Sequence, residues 1–555
     1  MAVAHRLAAQ ADITHKRDNL FNNESTYKRF VESGNEAEFD RLFESAAHAA
    51  LSSFGKEHPI YLGGEPIHTA EKLEERSPID KNIIIGIFQN GTKEHASAAV
   101  AKAKAALPEW SKTSYKERAS VLRKAADILS SRKFTIAAEL SYENGKSRYE
   151  SIGEVDEGID FLRYYANEIE SNHGFVRHNT MSGNTIKGAV GFQGAPSSEK
   201  ITLLLKPLGI FAVIAPFNFP ISISIGMSSA ALVAGNTVVF KPSSSDNMSM
   251  LSGLRIYEIF KEAGIPDGAF NYLTGPGSVV GSELVENPDV SGIAFTGSRY
   301  VGMSMVSRSI ALGLDRHFVT EMSGKNPCIV SKGANLDVAA NGIVSAAFGY
   351  SGQKCSSLSR LYVHESLKDE LIAKIIARTR ELKIGNPIEK STYLGPIISQ
   401  SAYKKYTDAI SIASKSARIL YGGNTVKTGL NGLYVEPTII EAKHDSELVK
   451  KELFLPILTV ESFSKLNDAI TMANDTEFGL TAGFYGGKRA EIKQFTENIA
   501  AGVIYINREM SATTGAVVGM HSFVGWKGSS ITNKGTGSKH YLQQFMKEQS
   551  ISVSK

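Results

Sequence analysis

Cysteine is scarce in this sequence: 555 residues contain two, Cys328 and Cys355. That excludes a disulfide framework and places the chain, as an expectation, in a reducing compartment, the cytoplasm. No apolar run approaches the roughly eighteen residues that mark a membrane-spanning helix, so no membrane partner is expected. An excess of one charge is missing too, because 61 basic and 57 acidic residues are scattered along the whole length and leave a net charge of +4. This removes the electrostatic footprint of a nucleic-acid or membrane-surface protein and leaves small molecules as the expected partners. The opening residues, MAVAHRLAAQADITHKRDNLF, have no apolar secretory core, and their acidic residues argue against a transit peptide. Repeats and low-complexity tracts are absent. What remains is an ordinary globular composition, 42% hydrophobic and 21% charged, on a chain too long for one core, so three or four units are expected.

Periodicity divides the chain. Residues 1–55 favour helix, and over 36–54 Phe39, Leu42, Phe43, Ala46 and Ala50 share one face, as a docked arm requires. IYLGGEPI, residues 60–67, reads as a hairpin turned at Gly63 and Gly64. Amphipathic helices are expected over 94–106, 116–131 and 153–170. From 171 to 200 the helical period stops, which predicts a protruding loop or hairpin before a strand at 201–205.

Residues 206–331 then alternate strand and helix, with strands IFAVI, TVVFK, FNYLT and GIAFTG and helices ending at Gly235 and Gly264. That alternation predicts a parallel sheet with ligands at the carboxyl ends of its strands, where Asn218, Lys241, Ser243, Ser244, Gly297 and Ser298 fall. GSRYVG does not follow the G-x-G-x-x-G fingerprint, but a glycine turn between strand and helix still offers N–H groups to a phosphate. A second α/β run fills 334–500, with helices near 337–348, 367–380 and 401–414. The stretch 511–536, rich in Gly, Ser and Thr but with apolar anchors, reads as ordered loop.

Two residues carry candidate chemistry. FGYSGQKCSSLSRLY surrounds Cys355 with small polar neighbours and with Lys354, whose charge is expected to lower the thiol pKa and favour a nucleophilic thiolate. A buried structural cysteine is the alternative reading. Upstream, FVTEMSGKNPCIV sets Glu321 at the end of an apolar strand before a glycine turn, where a carboxylate can take a proton from a thiol or a water. A solvated loop glutamate is the alternative there. Cys328, inside PCIV, reads as a packing residue, and no metal site is expected.

The motifs APFNFP, VVFKPSS, FTGS, EMSGKN, GQKCS, LGP, KELFLP and NDTEFGLTAGFY follow one another as they do in the aldehyde dehydrogenase superfamily, which the sequence resembles along essentially its whole length. The resemblance implies an α/β fold with a doubly wound, Rossmann-type NAD(P)-binding domain (residues 56–170 and 206–318) and an α/β catalytic domain (319–510). A helical arm (1–55) precedes them, and residues 171–205 and 511–555 would form a substrate-anchor loop and a small β element for homo-oligomerisation.

It also implies roles for single residues: Cys355 as nucleophile, Asn218 as oxyanion donor and Glu321 as general base. Lys241, Ser243 and Ser244 would lie near the adenine ribose of NAD, Gly297 and Ser298 near its pyrophosphate, and Glu452 and Phe454 near its nicotinamide ribose. A glutamate common at the Ser244 position is missing, so NADP is expected to be tolerated. HPIYLGGE, GQKCSSLSRLYV and YINREMSATTGAVVG resemble the branch of the family that oxidises L-glutamate γ-semialdehyde to L-glutamate in proline catabolism, through a cysteine thiohemiacetal and thioester. On that resemblance Gly515 and Ala516 would hold the substrate carboxylate with Ser356, between apolar walls Phe219 and Phe523. Another small aldehyde, such as succinate semialdehyde or glyceraldehyde, and a silent binding protein on the same fold are the alternatives. Three segments depart from the family pattern: EMSG for ELGG, Leu455 for a glycine, and SFVGWKGS for a PFGG-containing run.

Overall fold

The computed structural model describes residues 21–182, 198–244 and 248–554. The expectations for residues 1–20 and for the tip of the hairpin at 183–197 lie outside the described residues.

Two seven-stranded sheets carry the architecture. The first has the order His317–Met322, Val290–Gly297, Ile210–Ile214, Thr237–Lys241, Phe270–Tyr272, Ile60–Leu62, Glu65–Ile67. Its first five strands are parallel. The last two form the expected hairpin, closed by Gly63 (φ +65°) and Gly64 (φ +84°), left-handed positions that glycine takes without strain. Ile210–Ile214 and Thr237–Lys241 are buried at every position, as strands covered on both faces must be.

The second sheet runs Arg418–Tyr421, Thr438–Glu441, Ile457–Phe463, Leu358–His364, Asn326–Val330, Thr481–Tyr485, Val503–Ile506. All its pairings are parallel except the edge pair Arg418–Tyr421 with Thr438–Glu441. The chain passes from His317–Met322 in one sheet to Asn326–Val330 in the other through Ser323, Gly324 and Lys325 alone. This crossing brings the carboxyl end of a strand in the first sheet against the loop that feeds Leu358–His364 in the second.

The helical arm forms over Glu36–Ser53 and buries Phe39, Phe43, Ala47 and Ala50, with Leu42 and Ala46 half-buried at its margin. Phe39 packs against the rings of Tyr27, Phe134 and Tyr149. Each such buried phenyl contributes roughly 1.5–3 kcal/mol. Periodicity alone missed the helix Lys133–Asn144, because Ile136 through Asn144 are all buried and no polar face exists to set the period. The helix expected from 153 starts at Arg148, where the Ser147 hydroxyl accepts the Glu150 N–H, and runs to Ser171. The strands Lys72–Arg76 and Ile84–Gln89, which pair antiparallel, were also not anticipated.

A third sheet is antiparallel: Val176–Ser182, Ser198–Pro207 and the C-terminal Met546–Ser554. Among the described residues no helix is long and apolar enough to cross a membrane, and no group of three His, Cys, Asp or Glu side chains is placed to hold a metal ion.

Candidate active site

At the carboxyl ends of the first sheet's parallel strands lies a cavity of about 810 Å³, lined by Asn218, Lys241, Ser243, Ser244, Gly297, Ser298, Glu452 and Phe454. The structure thus brings together all the residues expected around a dinucleotide. Lys241 is buried, which pulls its pKa down to about 8, and its ammonium donates to the Pro242 carbonyl at 3.1 Å. The Ser244 hydroxyl accepts the Gly275 N–H at 3.3 Å. Ser298 caps the helix Arg299–Ala311, its side chain accepting the Val301 N–H, so that helix points its N-terminus into the cavity wall.

Two of the three departures from the family pattern meet here. In EMSG, Ser323 adopts a left-handed backbone (φ +47°) suited to glycine. Its hydroxyl accepts the Arg299 N–H at 3.2 Å, and its carbonyl accepts from the Ser529 hydroxyl at 2.9 Å. Ser529 ends SFVGWKGS, and its own carbonyl accepts the Met322 N–H at 2.8 Å. Next to this turn the Glu452 carboxylate accepts the Gly324 N–H at 2.8 Å and a hydrogen bond from Ser323. In KELFLP the left-handed turn falls on Phe454 (φ +60°), which leaves Leu455 free to be buried.

Cys355 is delivered by a tightly held loop. Tyr350, Ser351 and Gly352 are all left-handed, at φ +51°, +52° and +70°. A Cβ on Gly352 would stand 2.3 Å from the Leu455 carbonyl oxygen, so only glycine fits. The Ser351 hydroxyl donates to Gly395 at 2.9 Å, and the Gln353 carboxamide accepts from Ile398 at 2.8 Å. LGP and KELFLP therefore act as the seat of the Cys355 loop.

The Cys355 thiol donates to Glu321 Oε1 at 3.2 Å. Burial pushes the Glu321 carboxyl up to about 7, a shift the thiol partly offsets. Burial and the negative charge of Glu321 push the Cys355 thiol well above its usual value. This corrects the expectation that Lys354 lowers it: the Lys354 ammonium turns to the Glu150 carboxylate, at 2.6 and 2.7 Å, so its charge is neutralised there. Cys328 is fully buried in its strand, as a packing residue is.

The Asn218 carboxamide donates to the Gln353 carbonyl at 3.2 Å. Behind it the buried ammonium of Lys146 pairs with Glu154, donates to the Asn218 carbonyl and stands 3.7 Å from the centre of the Phe219 ring. Sequence reasoning missed Lys146, Glu150 and Glu154: the first two lie between the expected helices, and Glu154 lies in a helix whose periodicity indicated packing alone. Only the helix-ending Gly145 (φ +76°) just before Lys146 hinted at a turn into the interior.

On the other side of Cys355 a second cavity of about 580 Å³ is lined by Ser356, Phe219, Phe523, Gly515 and Ala516, with Glu150, Glu157 and Arg508. Phe295, Thr296, Glu321 and Cys355 line both cavities and form their junction. The Thr513 hydroxyl donates to the Ser356 carbonyl at 2.8 Å, tying the loop at 511–519 to the residue after the thiol. Gly515 is left-handed at φ +80°. Among the described residues nothing in the protein accepts the N–H of Gly515 or Ala516.

A cysteine and a carboxylate at the meeting point of a dinucleotide-sized groove and a second chamber define an aldehyde-oxidising architecture, and the Aldehyde dehydrogenase family model matches residues 67–551. The chain belongs to that family. Its relatives include the 1-pyrroline-5-carboxylate dehydrogenase of Geobacillus sp. (strain WCH70), 34% identical over 92% of this chain and 96% of the relative. Among solved structures, the 1-pyrroline-5-carboxylate dehydrogenase from Thermus with bound NAD superposes with a TM-score of 0.87 at 32% identity, covering 96% of this chain and 99% of that one. A betaine aldehyde dehydrogenase from Staphylococcus aureus in complex with NAD+ matches with a TM-score of 0.82 at 25% identity, covering 92% and 98%.

Proposed function

We propose that this chain oxidises L-glutamate γ-semialdehyde to L-glutamate with NAD, as its relatives named 1-pyrroline-5-carboxylate dehydrogenase suggest. The observation that carries this reading is the pair of free, adjacent N–H groups at Gly515 and Ala516 in the chamber that ends at Cys355. Consecutive backbone N–H groups form an anion site without a charged side chain, and a carboxylate at the far end of the aldehyde needs such donors. Ser356 adds a hydroxyl, and Phe219 and Phe523 give the aliphatic stem apolar walls.

The groove opposite suits NAD. Gly297 and Ser298 would face the pyrophosphate at the helix N-terminus, Lys241, Ser243 and Ser244 the adenine ribose, and Glu452 with Phe454 the nicotinamide ribose. When bound, the nicotinamide supplies a hydride acceptor. The chain's own residues do the rest. Cys355 gives its proton to Glu321, which releases it to solvent, and the thiolate adds to the aldehyde carbon; the alkoxide so formed takes the Asn218 carboxamide as donor. After hydride loss the acyl group is a thioester on Cys355. Glu321 takes a proton from water, the hydroxide adds to the thioester carbon, and the carboxylic acid leaves as the thiolate departs.

We divide the chain accordingly into an arm (1–55), a cofactor domain (56–170 and 206–318), a catalytic domain (319–510) and an anchor and oligomerisation part (171–205 and 511–555), in a cytoplasmic homo-oligomer. Ile551 and Val553, 40% and 55% exposed on the C-terminal strand, support the last assignment. A panel of aldehydes assayed for NADH formation tests the substrate. Glutamate semialdehyde should give the highest kcat/KM, and Ser356→Ala should raise its KM far more than that of propanal. Equal losses on both aldehydes would remove the anchor and this substrate with it.

A further inference from the structure

We propose that Arg508 is a positioning residue for substrate recognition: its guanidinium holds two successive peptide planes so that the N–H groups of Gly515 and Ala516 face the substrate. The inference rests on the anchor reading above and adds the group that aims it. Arg508 Nη1 donates to the Thr514 carbonyl at 2.9 Å and Nη2 to the Gly515 carbonyl at 2.7 Å. In a planar trans peptide the carbonyl of one residue and the N–H of the next point in opposite directions. Pinning the carbonyls of Thr514 and Gly515 therefore turns the N–H groups of Gly515 and Ala516 away from the guanidinium. Gly515 and Ala516 border the chamber together with Glu157 and Gly153 of the helix Arg148–Ser171, and neither N–H has a protein acceptor among the described residues.

Three features keep the fork in place. The guanidinium carbon lies 4.8 Å from the centre of the Tyr505 ring, a stacking partner for a planar cation. The Arg508 carbonyl accepts the Tyr485 hydroxyl at 2.6 Å, which fixes its backbone to the second sheet. A Cβ on residue 515 would come within 3.3 Å of Nη2 and sit on a left-handed backbone, so glycine is what lets the loop close on the fork. Both carbonyl contacts need two N–H groups at a fixed spacing, which a lysine ammonium does not offer.

The test uses the full-length enzyme with Arg508→Lys and Arg508→Gln, assayed with glutamate semialdehyde and with propanal. Both variants should raise KM for glutamate semialdehyde about 10- to 100-fold, the size of one lost charge-assisted contact, with kcat within about twofold. Propanal kinetics should change by less than about twofold. Gly515→Ala, which leaves Arg508 intact but disturbs the same planes, should show the same selective rise. Wild-type KM in Arg508→Lys would overturn the fork in favour of charge alone. A parallel fall on propanal in every variant would make Arg508 a merely structural residue. If the parent enzyme itself shows no advantage for glutamate semialdehyde over propanal, the substrate reading fails, and the role of Arg508 with it.

Discussion

Cys355 Sγ lies 3.2 Å from Glu321 Oε1, a contact between the end of a strand in one sheet and the loop that enters a strand of the other. In this pair each negative charge disfavours the other, so the two protons come off as a coupled system. The carboxyl, raised to about 7 from an ordinary 4.5, becomes a base as pH rises through that value. The thiol, facing a carboxylate, is held in its protonated form.

Glu321→Gln should therefore do two things. Hydrolysis of the thioester should slow more than hydride transfer, seen in rapid mixing as a burst of NADH followed by a slow phase. The pH at which iodoacetamide alkylates Cys355 at half its maximal rate should fall, because the raising charge is gone. An unchanged or higher alkylation midpoint would contradict the assigned contact.

Cys355→Ala should abolish oxidation with folding and NAD binding retained, whereas Cys328→Ala should keep activity and lose only stability. Cys328 is fully buried, so its sulfur fills space that alanine leaves empty. The opposite pattern, with Cys328→Ala inactive, would displace Cys355 from the centre of the reaction.

Ser323 sets strain against hydrogen bonding. A left-handed non-glycine residue costs about 1–2 kcal/mol, while its hydroxyl contact to the Arg299 N–H contributes roughly 0.5–1.5 kcal/mol. Ser323→Gly relieves the strain but loses the hydroxyl's hydrogen bonds to the Arg299 N–H and to Glu452 and adds freedom to the unfolded chain, so it should be less stable than the parent. Ser323→Ala keeps the strain and loses the bond, so it should be the least stable of the three in thermal unfolding. A glycine variant less stable than the alanine one would show that the turn is not strained.

Two buried carboxyls, Glu75 and Glu143, hold the first turn of the helix Met250–Ala263. Glu75 accepts the N–H groups of Met250 and Leu251 at 3.0 and 3.1 Å, and Glu143 accepts that of Ser252 at 2.9 Å. Burial raises both, Glu143 to about 7 and Glu75 well above the carboxylate range, with the charge of Glu143 adding to the rise of Glu75. A folded-state pKa above the unfolded one means that stability is fully present below about pH 4.5 and is lost as pH rises through about 7. The parent should thus melt at lower temperature at pH 9 than at pH 6, and Glu143→Gln should flatten that slope. Parallel slopes would place the loss elsewhere.

Cofactor choice should be broad. Lys241 lines the groove, and the carboxylate of Glu286 at its edge is paired with Arg308 at 2.8 Å, so among the described residues no unpaired carboxylate stands beside Lys241, Ser243 and Ser244. Steady-state kinetics should show NAD preferred over NADP by less than about a thousandfold, some 4 kcal/mol. A larger ratio would mean that another group excludes the phosphate.

The sequence by itself determined the strands that are apolar throughout, the hairpin at Gly63 and Gly64, and the order of motifs that marks the family. These features are local: a fully buried strand, a left-handed glycine pair and a short motif each carry their signal within a few residues. It could not place the helix Lys133–Asn144, whose burial on every side erases the helical period. Nor could it tell where charges end up. Lys354 follows Gln353 directly before the thiol, yet its ammonium pairs with Glu150 across the fold, and what raises the thiol's pKa is burial together with the charge of Glu321, distant in sequence. The same holds for Lys146 behind Asn218 and for Arg508 against the carbonyls of Thr514 and Gly515. Partners of this kind are chosen by side-chain reach and burial once the two sheets are joined through Ser323, Gly324 and Lys325, and only the tertiary structure decides them.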